Sequence, residues 1–214
     1  MIHKIVAIGG GEGGRIKSDG TKAPYETGNI DSEIVKLTGK NNPNFLFLGH
    51  AQPLNQQEGY FASIKPNFER LDCVCKLLTS DKLQDIEYVK ELLDWADIIY
   101  EGGGDTMTMI KMWQESSFDK ELAKAYESGK VMCGLSAGAN CWFKLCSTDS
   151  LKILYGYDKP FTSTECLGFM DGLFVPHCDE KGRMESVKDI LKEIPDTIGI
   201  AMSNCAANIW GLGL

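Results

Sequence analysis

The chain has 214 residues, 43% of them hydrophobic and 24% charged, with 22 basic side chains against 30 acidic ones. A chain of that size buries about 70% of its unfolded surface, enough for one full core without a disulfide or metal staple. The net charge of −8 excludes a general nucleic-acid binder, whose affinity needs clustered Lys and Arg, and no run approaches the roughly 18 apolar residues of a membrane span.

The first apolar run, Ile2–Ile8, is a buried-strand pattern with no secretory leader before it, which predicts a cytoplasmic protein. Six residues dominated by glycine follow, Gly9 to Gly14, and then a polar, turn-rich stretch to Gly28. Ile30, Ile34 and Leu37 share one helical face, and Phe45–Leu48 is a short strand ending at Gly49-His50. Phe61, Ile64 and Phe68 mark a further helix, which Pro66 is expected to break. Ile86, Val89, Leu92 and Leu93 form the next stripe, ahead of the strand Ile98–Tyr100 and the turn Gly102-Gly103-Gly104-Asp105. Leu122, Ala125 and Tyr126 lead to a stop at Gly129, and the strand Val131–Cys133 ends at Gly134. Cys146–Met170 has the weakest periodicity and reads as a surface excursion. Leu173–Val175, Ile198–Met202 and Ala206–Trp210 are later strands, with a helix over Ser186–Ile194 stopped by Pro195. Strands alternating with helices predict one α/β domain over residues 1–214, its mostly parallel sheet covered by helices on both faces.

The eight cysteines do not pair into zinc-ligand spacing: Cys73-x-Cys75 is one residue too short. They read as reduced thiols filling the core. No metal and no organic cofactor is implied.

In a parallel sheet, ligands bind beyond the carboxyl ends of the strands. The sharpest candidate there is Gly134-Leu135-Ser136-Ala137-Gly138-Ala139-Asn140, which fits the G-x-S-x-G nucleophile elbow between a strand and a helix. Small neighbours let the backbone turn sharply around Ser136, and the helix N-terminus behind it favours a developing oxyanion. The plain alternative is a small-residue turn with no chemistry. A serine needs a base, and the chain has three histidines. His3 lies at the wrong end of its strand, whereas His50 and His177 both follow strand ends, and position does not choose between them. The Gly102–Asp105 turn offers N–H groups for an anion. The first cluster matches Gly9-x-Gly11-x-x-Gly14, but no apolar helix follows it. Its candidate ribose acids, Asp31 and Glu33, fall inside the next helix, so nucleotide binding is disfavoured.

These residues together resemble the peptidase E family of serine peptidases, which includes aspartyl dipeptidases and cyanophycinase relatives. The likeness runs nearly end to end: an opening strand with glycines, Gly-Gly-Gly-Asp, Gly-x-Ser-Ala-Gly-Ala-Asn, then Pro176-His177 with the later Arg183. It implies a three-layer sandwich of the flavodoxin-like class, similar to class I glutamine amidotransferases. It implies Ser136 as nucleophile and His177, in preference to His50, as general base. Gly103, Gly104 and Ala137 match the oxyanion hole. Arg183 matches the arginine that pairs with a substrate's N-terminal Asp; otherwise it is a solvated cation at a helix start.

One position departs from the family pattern. The third triad member there is a carboxylate after a late strand, and the matching residue is Asn204; no Asp or Glu follows Asp196. Asp179, two residues from His177, is poorly placed to reach Nδ1 itself. The expectation is a peptidase with a Ser136-His177-Asn204 triad, slow because an amide offers only a dipole to the imidazolium. Its substrate would be a small peptide with N-terminal Asp. Two other readings are an inactive relative that binds an acidic ligand, and a nucleophilic Cys133 or Cys178. A homodimer is compatible with the sequence, which does not determine the oligomeric state.

Overall fold

The computed structural model describes residues 2–11, 13, 19–156 and 161–211. Gly14, the last glycine of the first cluster, lies outside them, as does Glu12. A six-stranded sheet forms the centre, in the order β10-β1-β5-β4-β2-β3. Its members are β1 (Lys4–Ile8), β2 (Asn44–Phe47), β3 (Val74–Leu77), β4 (Ile98–Glu101), β5 (Val131–Leu135) and β10 (Ala207–Trp210). All neighbours are parallel except β10, which pairs antiparallel with β1 at the edge.

Period-two alternation decides which side chain meets which helix layer. Ile5, Ala7, Leu46, Ile99 and Met132 enter one core. Val6, Ile8, Phe45, Phe47, Ile98, Tyr100, Val131 and Cys133 enter the other. The first core is closed by α3 (Ile86–Trp95), α4 (Thr106–Ser116) and α5 (Phe118–Glu127), through Val89, Met109, Trp113 and Leu122. The second is closed by α1 (Gly28–Leu37) and α2 (Leu54–Glu69), through Ile34, Ile64 and Phe68. Both faces of the strands are therefore apolar, and Val6, Ile8, Ile98 and Ile99 are fully buried.

Pro66 does not break its helix: α2 runs on to Glu69 with the proline inside it. Ala62, whose carbonyl would have bonded the missing N–H, is exposed, so that carbonyl can turn to water instead.

A second, four-stranded sheet has the order β7-β6-β8-β9. It contains β6 (Phe143–Thr148), β7 (Thr162–Glu165), β8 (Met170–Val175) and β9 (Gly199–Ala201). The later strands thus divide: β8 and β9 belong here, and only β10 returns to the central sheet. Cys146–Met170 is not a surface excursion. It holds the end of β6, the short α7 (Ser150–Tyr155) and the strand β7, which pairs antiparallel with β6. The sequence of β7, Thr-Ser-Thr-Glu, is polar because it is an edge strand with neither face fully buried. The helix α8 (Arg183–Glu193) packs Val187 and Ile190 on Leu173 and Val175 of β8. No helix among the described residues is long and apolar enough to cross a membrane.

Candidate active site

The carboxyl ends of β5, β8 and β9 converge. After β5 the chain turns at Ser136 into α6 (Ala137–Asn140), and the serine is held at φ 55°, ψ −113°. That conformation is costly for a side-chain-bearing residue and persists only where the surroundings over-determine it. Here the N–H of Ser136 donates to the Ile8 carbonyl at 2.9 Å, and its own carbonyl accepts from Ala139 and Asn140. A Cβ on Gly138 would collide with the Glu101 backbone carbonyl, so only glycine lets the turn pack against β4.

His177 follows β8 and also has positive φ, 52°. Its Nε2 lies 2.8 Å from Ser136 Oγ, and its Nδ1 lies 2.7 Å from Asn204 Oδ1. The amide oxygen only accepts, so Nδ1 carries the proton and the Nε2 lone pair faces the serine hydroxyl. Asn204 sits in the β9–β10 turn. Its main-chain N–H donates to Asp179 Oδ1 at 2.9 Å, and its Nδ2 donates to both Asp179 oxygens at 3.2 and 3.3 Å. Burial opposes it, but these Asn204 donors hold the Asp179 carboxyl below its ordinary range. Glu180 Oε1 stands 3.4 Å from His177 Nδ1 and 3.5 Å from Asn204 Nδ2.

The first glycine cluster finds its use here. The Gly9 carbonyl accepts from His177 N–H at 3.1 Å and the Gly10 carbonyl from Cys205 N–H at 2.8 Å. Gly10 lies so close to the His177 imidazole and Asn204 Oδ1 that a Cβ there would overlap both. Gly9 and Gly10 form a floor under the histidine. Asp31, one of the acids weighed for a ribose, is buried in α1 and accepts from Tyr25 Oη at 2.6 Å; burial pushes its carboxyl up to about 6.

His50 is committed elsewhere. Its Nε2–H donates to the Leu78 carbonyl at 2.7 Å and its Nδ1 accepts from Trp113 Nε1–H at 2.9 Å. Complete burial pulls its pKa down to about 4. The Gly102–Asp105 turn lies beside Ser136, with Gly103 facing Leu135 and the serine Cβ. The Gly103 N–H already donates to Tyr60 Oη at 3.0 Å. The first N–H groups of α6, Ala137 among them, have no intrahelical acceptor. Asp105 is the N-cap of α4, accepting from Thr108 N–H and from Ser150 Oγ. Behind the turn, Glu101 is fully buried with Oε1 accepting from Ala51 N–H at 3.1 Å, and burial pushes its carboxyl up to about 8.

Arg183 is not the solvated cation that a helix start suggests. It is 2% exposed, its guanidinium stacks on Phe161 at 4.0 Å, and Nη2 lies 3.8 Å from Asp149. Its Nε and Nη1 are buried without an acceptor in the described structure. Cys133 is buried inside β5, where burial drives the thiol well above its ordinary pKa; Cys178 is half-buried, 3.3 Å from Ser203 Oγ. Neither has a histidine partner among the hydrogen bonds of the described residues, and those residues contain no cluster arranged to hold a metal ion.

The model of peptidase family S51 matches residues 16–210. The chain belongs to peptidase family S51. An uncharacterized peptidase of Bacillus subtilis (strain 168), YgaJ, is 32% identical over 191 residues, covering 89% of this chain and 75% of that protein. A crystal structure of a peptidase from an acI-B1 Actinobacterium superposes with a TM-score of 0.73 at 21% identity, over 98% of this chain and 83% of the other. A putative peptidase E protein from Listeria monocytogenes superposes with a TM-score of 0.66 at 15% identity over the whole of both chains. At those identities the two structures establish the fold, which is that of the peptidase E and S51 proteins. The family model establishes this S51 chain as a peptidase.

Proposed function

We propose that this S51 peptidase acts through an acyl-enzyme on Ser136 and hydrolyses Asp-X dipeptides. The observation that carries the reading is the continuous chain from Ser136 Oγ to His177 Nε2, and from Nδ1 to Asn204 Oδ1, at 2.8 and 2.7 Å. Ser136 Oγ attacks the scissile carbonyl carbon while His177 Nε2 takes its proton. The carbonyl oxygen becomes an oxyanion at the N-terminus of α6, facing the Ala137 N–H; the Gly103 N–H joins by leaving Tyr60. His177 then passes the proton to the leaving amine, the C–N bond breaks, and water repeats the sequence on the acyl ester.

The preference for N-terminal Asp rests on Arg183. A buried guanidinium whose Nε and Nη1 have no acceptor among the described residues suits a carboxylate gripped bidentately, and the Phe161 ring lies 4.0 Å from its carbon. Fluorophosphonate labelling of wild type and Ser136→Ala tests the nucleophile: wild type is labelled and the variant is not. Assays of Asp-X, Glu-X and Ala-X then test recognition. Arg183→Ala is expected to lose Asp-X hydrolysis selectively, and an equal loss on all three overturns the assignment. The neutral Asn204 favours one other reading, an inactive relative that binds an acidic peptide; a folded wild type that resists labelling would favour it.

A further inference from the structure

Asn204 puts an amide at the 2.7 Å position on His177 Nδ1 where such a histidine normally meets a carboxylate, and Glu180 Oε1 stands further off, at 3.4 Å. A side-chain amide is also ambiguous. Rotated by half a turn, it presents Nδ2–H to His177 Nδ1, which would then have to be the unprotonated nitrogen. The proton would move to Nε2, and Nε2–H cannot accept from a serine hydroxyl. Wrong-tautomer histidine is the main reason that an Asp-to-Asn change costs about 10⁴ in kcat in a chymotrypsin-type triad. A working Asn therefore needs something to hold its amide one way round.

The structure assigns that part to Asp179, with Glu180 beside it. We propose that Asp179 is a positioning residue: it locks the Asn204 amide, and through it the His177 tautomer, from one residue behind the triad. The inference rests on the peptidase reading of Ser136 and deepens it. Two observations carry it. Both Asp179 oxygens accept from Asn204 Nδ2, and Oδ1 also accepts from the Asn204 main-chain N–H, so side chain and backbone of the same residue are clamped together. Glu180 Oε1 lies 3.5 Å from the same Nδ2. A flipped amide would turn its oxygen onto three carboxylate oxygens, which only accept. The polarity then runs one way, from Asp179 through Asn204 and His177 to Ser136.

The bond crosses two loops. Asp179 lies between β8 and α8, and Asn204 between β9 and β10, with 25 residues separating them. Cys178 N–H donates to the Met202 carbonyl at 3.1 Å and ties the same two loops together one step away. The carboxylate side of the relay is solvent-exposed, so its hydrogen-bond geometry outweighs its screened charge.

The test uses Asp179→Ala, and the exchange Asp179→Asn with Asn204→Asp, each checked for folding by thermal melting. Imidazole ¹⁵N spectra at about pH 8.5, above the ordinary histidine range, read the tautomer without any substrate. Fluorophosphonate labelling reads the reactivity of Ser136. The wild type should show a single Nδ1–H tautomer. Asp179→Ala should show a mixture and label about 10- to 100-fold more slowly, the range for losing a hydrogen bond to a charged group. The exchange should restore both signals, because the carboxylate it places at position 204 only accepts, and the amide it places at position 179 can donate Nδ2–H to that carboxylate while its oxygen still accepts from the main-chain N–H of residue 204. A folded Asp179→Ala with wild-type tautomer and labelling rate overturns the proposal, as does an exchange variant no better than Asp179→Ala. If the wild type is not labelled yet Asp179→Ala still scrambles the tautomer, the peptidase reading of Ser136 fails and the positioning role stands.

Discussion

The two halves of the site are built differently. Ser136 stands at the end of β5, in the middle of the central sheet, and is held by main chain: the Ile8 carbonyl, the first turn of α6, and Gly138 packed on the Glu101 carbonyl. His177 and Asn204 stand on loops leaving the smaller sheet; main-chain bonds to Gly9 and Gly10 pin those loops, but their side chains are aimed by other side chains, with Asp179 and Glu180 exposed behind them. A position enforced by packed backbone needs no tuning by its neighbours' side chains. A position held by hydrogen bonds between loops can be adjusted, and there the group on His177 Nδ1 is an amide, where a Ser-His-Asp site has a carboxylate.

Single substitutions can break or sharpen that contrast. The largest effect is expected from His177→Ala: activity on Asp-X falls by about 10⁴ or more, because Ser136 loses its base while the turn that strains it is untouched. Steady-state kinetics beside a thermal melt would show catalysis lost and stability kept. Gly10→Ala comes next. Its Cβ overlaps the His177 imidazole and Asn204 Oδ1, so kcat should fall about 10- to 100-fold, in line with a misplacement of about 1 Å. Gly138→Ala, by contrast, meets backbone and should cost about 1–3 kcal/mol of stability together with activity, read by urea unfolding.

His50→Ala should invert the result for His177. It strands the Trp113 N–H and the Leu78 carbonyl in the core, costing about 1–3 kcal/mol for each group left unpaired, while kcat at a temperature where the protein stays folded changes little. The last test is on pH dependence. Glu101 has its folded pKa raised to about 8 by burial, above its ordinary 4.5, so it binds its proton more tightly folded than unfolded. Its contribution to stability is complete below the ordinary value and is lost as pH rises toward 8. Glu101→Gln should flatten that slope in urea titrations between those limits.

Much of the central sheet is legible from the chain alone, because fully buried parallel strands are continuous apolar runs closed by glycine turns. Phe45–Leu48 and Ile98–Tyr100 are of that kind. The smaller sheet is legible only in part: Leu173–Val175 and Ile198–Met202 mark β8 and β9, but β7 is polar and β6 follows α6 without a turn signal, so those two carry no pattern of their own. Pro66 misleads because the chain alone does not show that the orphaned Ala62 carbonyl lies on the exposed side of α2. Asp179 is, as its spacing suggests, no partner for Nδ1; no spacing rule reports a residue that acts through a second one.

The sequence by itself determined the β/α alternation, the strained turn at Ser136 and the absence of any acidic residue after Asp196, since each is a local pattern or a simple count. It placed two histidines at strand ends and, on its residues alone, left them equal; only the likeness to a family favoured His177. The tertiary structure separated them: His50 has both nitrogens spent inside the core, and His177 has one on Ser136 and one on Asn204. The reason is physical. A histidine's state depends on which groups face its two nitrogens, and here those groups lie 28 and 63 residues away for His50, and 41 and 27 for His177. Contacts of that range exist only once the sheets have formed.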